Sequence, residues 1–179
     1  MSCKKLASVN IPETVTRIGY EAFGNCDRLS SIEIPNNVKA IGVCAFAQCR
    51  SLQSIAFPNT ISVIPELLCS GCKELQTVTL PDSIVKIEDY AFANCSLSSI
   101  TIPENTQIIG DEAFFANAEL RNVFCKAQNP PEIGADVFIR GSIWKDIHPE
   151  LIINVPQTSV ENYKEQWSVY SDHIQGYDF

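Results

Sequence analysis

Cysteine is the residue type in this chain best placed to do chemistry, with eight copies in 179 residues. Five of them, Cys3, Cys26, Cys49, Cys72 and Cys95, recur at a spacing of 23. In a secreted domain such a set could pair as disulfides, and four cysteines converging on one point could hold zinc. A straight column gives neither. Neighbouring members come within disulfide reach at Cα, but their Cβ vectors run parallel rather than converging. The column therefore reads as buried free thiols used as small apolar fillers. Cys69-Ser-Gly-Cys72 has the C-x-x-C spacing of redox and metal sites, yet both cysteines fill packing slots of the pattern below. Cys44 and Cys125 stand off the column. Cys44, which replaces Glu21 of the first unit, is the thiol expected to be most reactive.

Other catalytic signals are sparse. Histidine occurs twice, at His148 and His173. There is no H-E-x-x-H, G-x-S-x-G or Walker A loop. Ser142-Ile-Trp-Lys145 fits S-x-x-K without the partner motifs that give that match meaning. Asn94-Cys95-Ser96 is formally a glycosylation sequon, but its middle residue belongs to the cysteine column. The carboxylates are spread over a repeating surface. An enzyme built on Cys44 or on the histidine-bearing C-terminal region is the weakest reading, and the chain is expected to be no enzyme, with no cofactor and no metal site.

Bulk properties narrow the partners. The net charge of −8 disfavours an electrostatic grip on nucleic acid or on an anionic membrane. No apolar run approaches a membrane span. Met1 to Asn10 lacks the apolar core of a signal peptide. Either the protein stays inside the cell or its export signal lies outside this sequence.

The elements that position these residues follow from a repeat. Leu6, Leu29, Leu52, Leu75, Leu97 and Leu120 advance by 23, 23, 23, 22 and 23. Prolines (Pro12, Pro35, Pro58, Pro81, Pro103) and isoleucines (Ile18, Ile41, Ile64, Ile87, Ile109) keep the same beat. A phenylalanine column runs through Phe23, Phe46, Phe92 and Phe114, with Cys69 in the third slot. After Cys95 the cysteine column continues to Ala118. One unit reads L-x-x-[VI]-x-[IFL]-P-x-x-[VI]-x-x-I-G-x-x-A-F-x-x-C.

Each stretch predicts a local structure. Leu29 to Ile34 alternates apolar and polar residues, as a strand buried on one face does. Proline ends that strand because it cannot donate to a ladder. Val38 to Ile41 is a second short extended piece, and the Ile-Gly pair turns the chain. Tyr20 to Cys26 is too short for a free helix and is expected to form a single helical or 3-10 turn held by packing. No coil can close a core alone, so coils must stack, with equivalent strands roughly 4.8 Å apart.

Stacking leaves one surface open to partners. The outward residues of the opening strands form rows: Ser8 and Asn10, Ser31 and Glu33, Ser54 and Ala56, Thr77 and Thr79, Ser99 and Thr101, Asn122 and Phe124. The strip is small and rich in hydroxyls. Strand propensity and solubility account for much of it. It is also a flat face able to offer hydroxyls to a protein or glycan, as extended solenoid faces do. Phe124 is its single aromatic residue.

The segment LSSIEIPNNVKAIGVCAFAQC, Leu29 to Cys49, resembles the BspA-like leucine-rich repeat, and the likeness extends from Cys3 to about Phe138. The resemblance implies a leucine-rich-repeat solenoid of the α/β horseshoe type, β-rich, with one parallel strand plus a short helical or 3-10 turn per coil and a C-terminal helical cap. It further implies a non-enzymatic binding or adhesion module of a cell-surface or secreted protein. Its partner would be an extracellular protein or glycan, since some members attach to host matrix or to other cells. The alternative is a structural spacer that displays another domain of a longer chain. Two coils depart from the pattern. Coil three, with Ile64-Pro65-Glu66-Leu67-Leu68-Cys69, loses the Gly and the Phe, and coil four is one residue short.

The ends differ from the middle. Residues 1–138 carry about six coils, and Ile133 to Phe138 still fits the turn of the sixth. Residues 139–179 read as an inserted loop (Ile139 to Glu150, with Trp144), a final strand at Ile153-Asn154-Val155-Pro156, and a cap. Thr158 and Glu161 fit a capping box, with helix to about Trp167 and with Tyr163 and Trp167 on one face. At the other end Cys3 is already in register, so a longer array is expected. An open ladder edge is a pairing hazard, which makes end-to-end dimers an expectation in vitro.

Overall fold

The computed structural model describes residues 3–141 and 146–179. The Ser142–Lys145 motif and Trp144 lie outside the described residues.

The chain winds into a parallel β-solenoid whose coils hydrogen-bond to one another along three lines. Among the described residues twelve short strands carry two of these: β1 (Arg17–Ile18), β2 (Ala40–Ile41), β3 (Ser54–Ala56), β4 (Val63–Ile64), β5 (Thr77–Thr79), β6 (Lys86–Ile87), β7 (Ser99–Ile102), β8 (Ile108–Ile109), β9 (Asn122–Cys125), β10 (Glu132–Ile133), β11 (Ile152–Pro156) and β12 (Ile174–Tyr177). The first line comprises the β3–β5 pair and a four-stranded sheet ordered β12-β11-β9-β7. The second comprises the β1–β2 pair and a sheet ordered β10-β8-β6-β4. Every one of these pairings is parallel. In the second line Ile64, Ile87, Ile109 and Ile133 are register partners in turn, so residues 22 to 24 positions apart stand above one another.

The third line is the segment expected to be a helical or 3-10 turn. It does contain i→i+3 bonds, such as Gly24 N–H to Glu21 O and Cys26 N–H to Phe23 O. These do not propagate into helix, because Glu21 and Asn25 have φ of 48° and 59°. The same two left-handed positions recur at Cys44 and Gln48, and at Tyr90 and Asn94. The turns point alternate amides at the next coil, where Glu21, Phe23 and Asn25 donate to the carbonyls of Val43, Ala45 and Ala47. Glycine after the isoleucine serves a different need. A Cβ on Gly42 would lie 2.5 Å from the Tyr20 nitrogen, so it is close backbone approach that requires glycine there.

The phenylalanine column is stacked in the interior. Phe23 and Phe46 lie parallel at 5.6 Å between centroids, as do Phe92 and Phe114, and Phe138 continues the stack at 5.8 Å from Phe114. Phe46, Phe92 and Phe114 are fully buried. Cys69 leaves the third coil short of a ring. In that same coil Phe57 turns inward and meets Phe92 edge-on at 6.4 Å, supplying from the strand side the volume that the turn side lacks.

The opening stretches of coils one and two depart from expectation. Leu29 and Ile34 are buried while Ser31 and Glu33 are exposed, so the alternation holds, but Leu29 to Ile34 is not a ladder strand. Leu6, Val9 and Ile32 are only partly buried. The apolar edge that would clamp these segments is therefore half wet, and one bond, Gln53 N–H to Ser30 O, ties coil two to coil three at this line.

The cap also forms differently from its sequence reading. The helix α1 spans Val160–Gln166 after a 3-10 turn at Gln157–Ser159, with no side-chain cap bond at its N-terminus. No capping box exists because the hydroxyls bond elsewhere: Ser159 donates to the Gln128 carbonyl at 2.7 Å, and Thr158 Oγ1 lies 3.3 Å from Gln128 Oε1. Tyr163 and Trp167 do share the buried face, with ring centroids 5.1 Å apart. They anchor it through bonds to the Ala127 and Pro131 carbonyls at 2.7 and 2.9 Å. Beyond a second 3-10 turn at Ser168–His173, the chain returns as β12, pairing Ile174 with Ile153 and Tyr177 with Pro156. The tail thus adds a rung to the first line.

Candidate binding face

The cysteines are packing groups with a polar duty. All eight are unbridged. Cys49, Cys72 and Cys95 each donate their thiol to the carbonyl of the phenylalanine slot one coil below, at Phe23, Phe46 and Cys69, with distances of 3.1 to 3.2 Å. Burial pushes the Cys49 thiol up to about 12 and raises Cys95 well above its ordinary value. The Cys69–Cys72 pair lies fully inside, and desolvation holds the Cys69 proton in place. Among the described residues no group of three or more metal-type side chains is gathered.

The column continues at Asn117 rather than at Ala118. The residue missing from coil four falls between Cys95 and Leu97, so the next step is 22. Asn117 Nδ2 donates to the Phe92 carbonyl at 2.9 Å, the position a thiol serves elsewhere.

Cys44, the thiol expected to be most reactive, is half-buried. Desolvation, then the Glu21 and Glu66 carboxylates, raise its pKa, which lowers its thiolate fraction. Cys125 is buried in β9 at 3.2 Å from the Tyr163 hydroxyl, and burial pushes it up to about 11. The histidines flank β11, beyond the sixth coil, whereas Cys44 lies in the second. His148 Nδ1 accepts the Glu150 N–H at 3.0 Å, and His173 Nδ1 lies 3.0 Å from the Leu151 carbonyl. Asn94 of the sequon lies in a left-handed turn, and Ser96 donates to Lys73 O at 2.6 Å.

The outward rows of the first line are exposed as a strip. Ser54 pairs with Thr77 and Ala56 with Thr79. Ser99 pairs with Asn122 and Thr101 with Phe124. Ser8, Asn10, Ser31 and Glu33 face solvent as well, but below the first ladder strand and unpaired. Between β5 and β7 the ladder is interrupted, at the coil that has lost its residue, so the strip is two adjoining pieces rather than one. Ser54, Thr77, Thr79, Ser99 and Thr101 are exposed, whereas Asn122 and Phe124 are half-buried.

Phe124 is half-buried because sequence-distant residues cover it. Its ring meets that of Tyr177 at 5.4 Å and 74°, and Tyr177 meets Phe179 at 5.0 Å. Beneath these rings Asn154 is sealed, its amide bonding to Val123 O and to the Gln175 side chain. The strip therefore ends in an aromatic cluster, and Ile152, Asn154, Gln175 and Tyr177 extend its rows. The sequence signal for the last rung was the alternation in Ile174-Gln175-Gly176-Tyr177, too short to stand alone.

Stacked parallel coils, inward leucine and phenylalanine columns and an exposed strand face define the leucine-rich-repeat class. The chain belongs to the family described as BspA type leucine rich repeat region, whose six-copy pattern matches residues 1–121 and again 44–164. Among solved structures it is similar to a leucine rich cell surface protein from Faecalibacterium prausnitzii A2-165, with 34% identity and a TM-score of 0.63 over 65% of this chain and 31% of the other. It is also similar to a leucine-rich repeat protein from Bacteroides ovatus ATCC 8483, with 25% identity and a TM-score of 0.62 over 84% of this chain and 54% of the other. The chain thus spans about a third and about half of these two relatives. No curated protein matches it significantly. Among the described residues no helix is long and apolar enough to cross a membrane.

Proposed function

We propose that this chain is a non-enzymatic binding or adhesion module of a cell-surface or secreted protein, which engages an extracellular protein or glycan through the exposed face of its first ladder. The observation that carries the reading is the strip itself. Small hydroxyl-bearing side chains stand in paired rows on a rigid sheet and lead into a cluster of partly exposed rings. Rigid side chains on a preorganised face lose little entropy on binding, and aromatic residues are the usual anchors. One structural relative is a cell surface protein, which supports the location. The spacer alternative draws support from that relative's greater length, which this chain spans only in part.

The test is attachment of the purified chain to a panel of extracellular-matrix proteins and oligosaccharides. Paired arginines at Thr79→Arg and Thr101→Arg place bulk and charge on the strip, and Ser62→Arg, off the strip, serves as the control. Binding that the pair abolishes and the control keeps supports the module. Absence of attachment to any panel member, or attachment indifferent to the pair, favours the spacer.

A further inference from the structure

The C-terminal end of the strip has the chemistry of a sugar site. Tyr177 and Phe179 are 44% and 52% exposed, unusual for rings otherwise engaged with neighbours. They border an open groove of about 540 Å³ that runs past Lys126, Gln128, Thr158, Glu104 and Asp178. Phe124 meets the Tyr177 ring edge to face, which fixes the orientation of a ring that is still 44% exposed. Gln128 is held in place: its Oε1 lies 3.3 Å from the Thr158 hydroxyl and 3.2 Å from that of Ser159, which leaves Nε2 to donate.

We infer that this groove binds a neutral hexose-containing oligosaccharide, the Tyr177 and Phe179 rings stacking on pyranose C–H faces while Gln128, Lys126, Thr158, Glu104 and Asp178 pair with the hydroxyls. A pyranose presents an apolar face and a rim of groups that both donate and accept. The groove has rings for the first. For the second it has donors at Lys126 and Gln128 and acceptors at Glu104 and Asp178. Two carboxylates against one ammonium make it a poor host for a sulfated or uronate-rich glycan. The groove is too polar and too open for an aliphatic chain. The inference rests on the binding-module reading and makes it specific: the strip's strongest contact lies at its end, on residues contributed by the returning tail.

An array of neutral glucose-, galactose- and mannose-containing oligosaccharides, followed by titration of any hit, tests this. Tyr177→Ala is expected to weaken binding roughly tenfold or more, and Tyr177→Phe to retain it. Phe124→Ala is expected to weaken it by a comparable factor, with heparin failing to compete. Unchanged melting of Tyr177→Ala keeps the comparison interpretable. Should that variant melt early, chemical-shift changes of the Tyr177 and Phe179 ring protons on adding the sugar to the unmodified chain give the same answer. Lack of any neutral-sugar binding overturns the inference, and so does sugar binding indifferent to Tyr177→Ala. Attachment to a matrix protein through Thr79 and Thr101 in either case would leave the broader module reading standing.

Discussion

The side-chain Oδ1 of Asn117 accepts the backbone N–H of Leu97 at 3.1 Å. In other coils that leucine amide bonds to the carbonyl of the cysteine three positions earlier, as Leu29 does to Cys26, Leu52 to Cys49 and Leu75 to Cys72. At the end of coil four the spacing is Cys95-Ser96-Leu97, one residue too short for that bond. The deletion strands a buried amide, and the asparagine one coil on supplies the missing oxygen. Its Nδ2 meanwhile makes the thiol-like bond to Phe92 O and a second to Phe114 O at 2.8 Å.

Removing this amide is expected to be costly. Asn117→Ala leaves three buried backbone groups without partners, at about 1–3 kcal/mol for each such group before relaxation, and a net loss of about 2–4 kcal/mol is expected. Asn117→Cys restores the donor to Phe92 and not the acceptor for Leu97, so it should fall between. Urea denaturation of the three chains checks the order, and a cysteine variant as stable as the native chain would refute the role given to Oδ1.

Phe57 and Cys69 are expected to be coupled. Cys69→Phe restores the ring column but overpacks a coil already filled by Phe57, at about 1–3 kcal/mol. Phe57→Leu opens a cavity. Combined, the two should cost less than their sum, and a double-mutant cycle measures the interaction directly. Strict additivity would mean that the two side chains do not share one volume. Phe46→Ala, which removes the ring between Phe23 and the Cys69 slot, should cost about 3–5 kcal/mol, and a loss below about 1 kcal/mol would remove that ring from the core.

Thiol labelling separates the cysteines by position. In the native protein a maleimide is expected to modify Cys3 quickly and Cys44 slowly. The six buried thiols should react only on unfolding. Prompt labelling of Cys49, Cys72 or Cys95 without denaturant would contradict the buried column.

Alkaline pH should destabilise the fold. A thiol is charged when deprotonated, and burial favours the protonated form of Cys125, which titrates at about 11 against an ordinary 9.0. Below pH 9 both folded and unfolded chains keep this proton. Above it the unfolded chain ionises first, so stability falls as pH rises towards 11, by up to about 1.4 kcal/mol per unit from this thiol. The urea midpoint is expected to be level near neutrality and to decline above about pH 9, less steeply in Cys125→Ala. An unchanged slope in that variant would assign the decline to other groups.

The tail should behave as part of the solenoid. Trp167→Ala removes a buried ring that contacts Phe138 and bonds to Pro131 O, at about 3–5 kcal/mol. Its loss should expose the end of the phenylalanine stack to a hydrophobic dye. A variant with native stability would show that the stack closes without it.

The solenoid was legible because its code is local and repeated. Any one of Leu29, Ile41 or Phe46 says little, but each recurs at a fixed step, and a fixed step can be satisfied only by stacking. The same columns located the core, the outward rows and the packing role of the thiols before any coordinates. What resists such reading is contact that occurs once. Asn117 is an ordinary polar residue until a deletion 20 positions earlier gives it an amide to satisfy, and the turn residues take left-handed φ at glutamate and cysteine rather than at the glycine the motif displays.

The aromatic end of the strip belongs to this second kind. Phe124 could be placed on the outward face from its own coil, but Tyr177 lies beyond a helix and two 3-10 turns, and no period links the two. Sequence determined the architecture, since burial of recurring apolar columns has one geometrical solution. Tertiary structure alone decided where rings, amide and carboxylates converge, because that depends on how a single non-repeating tail folds back onto the last rung.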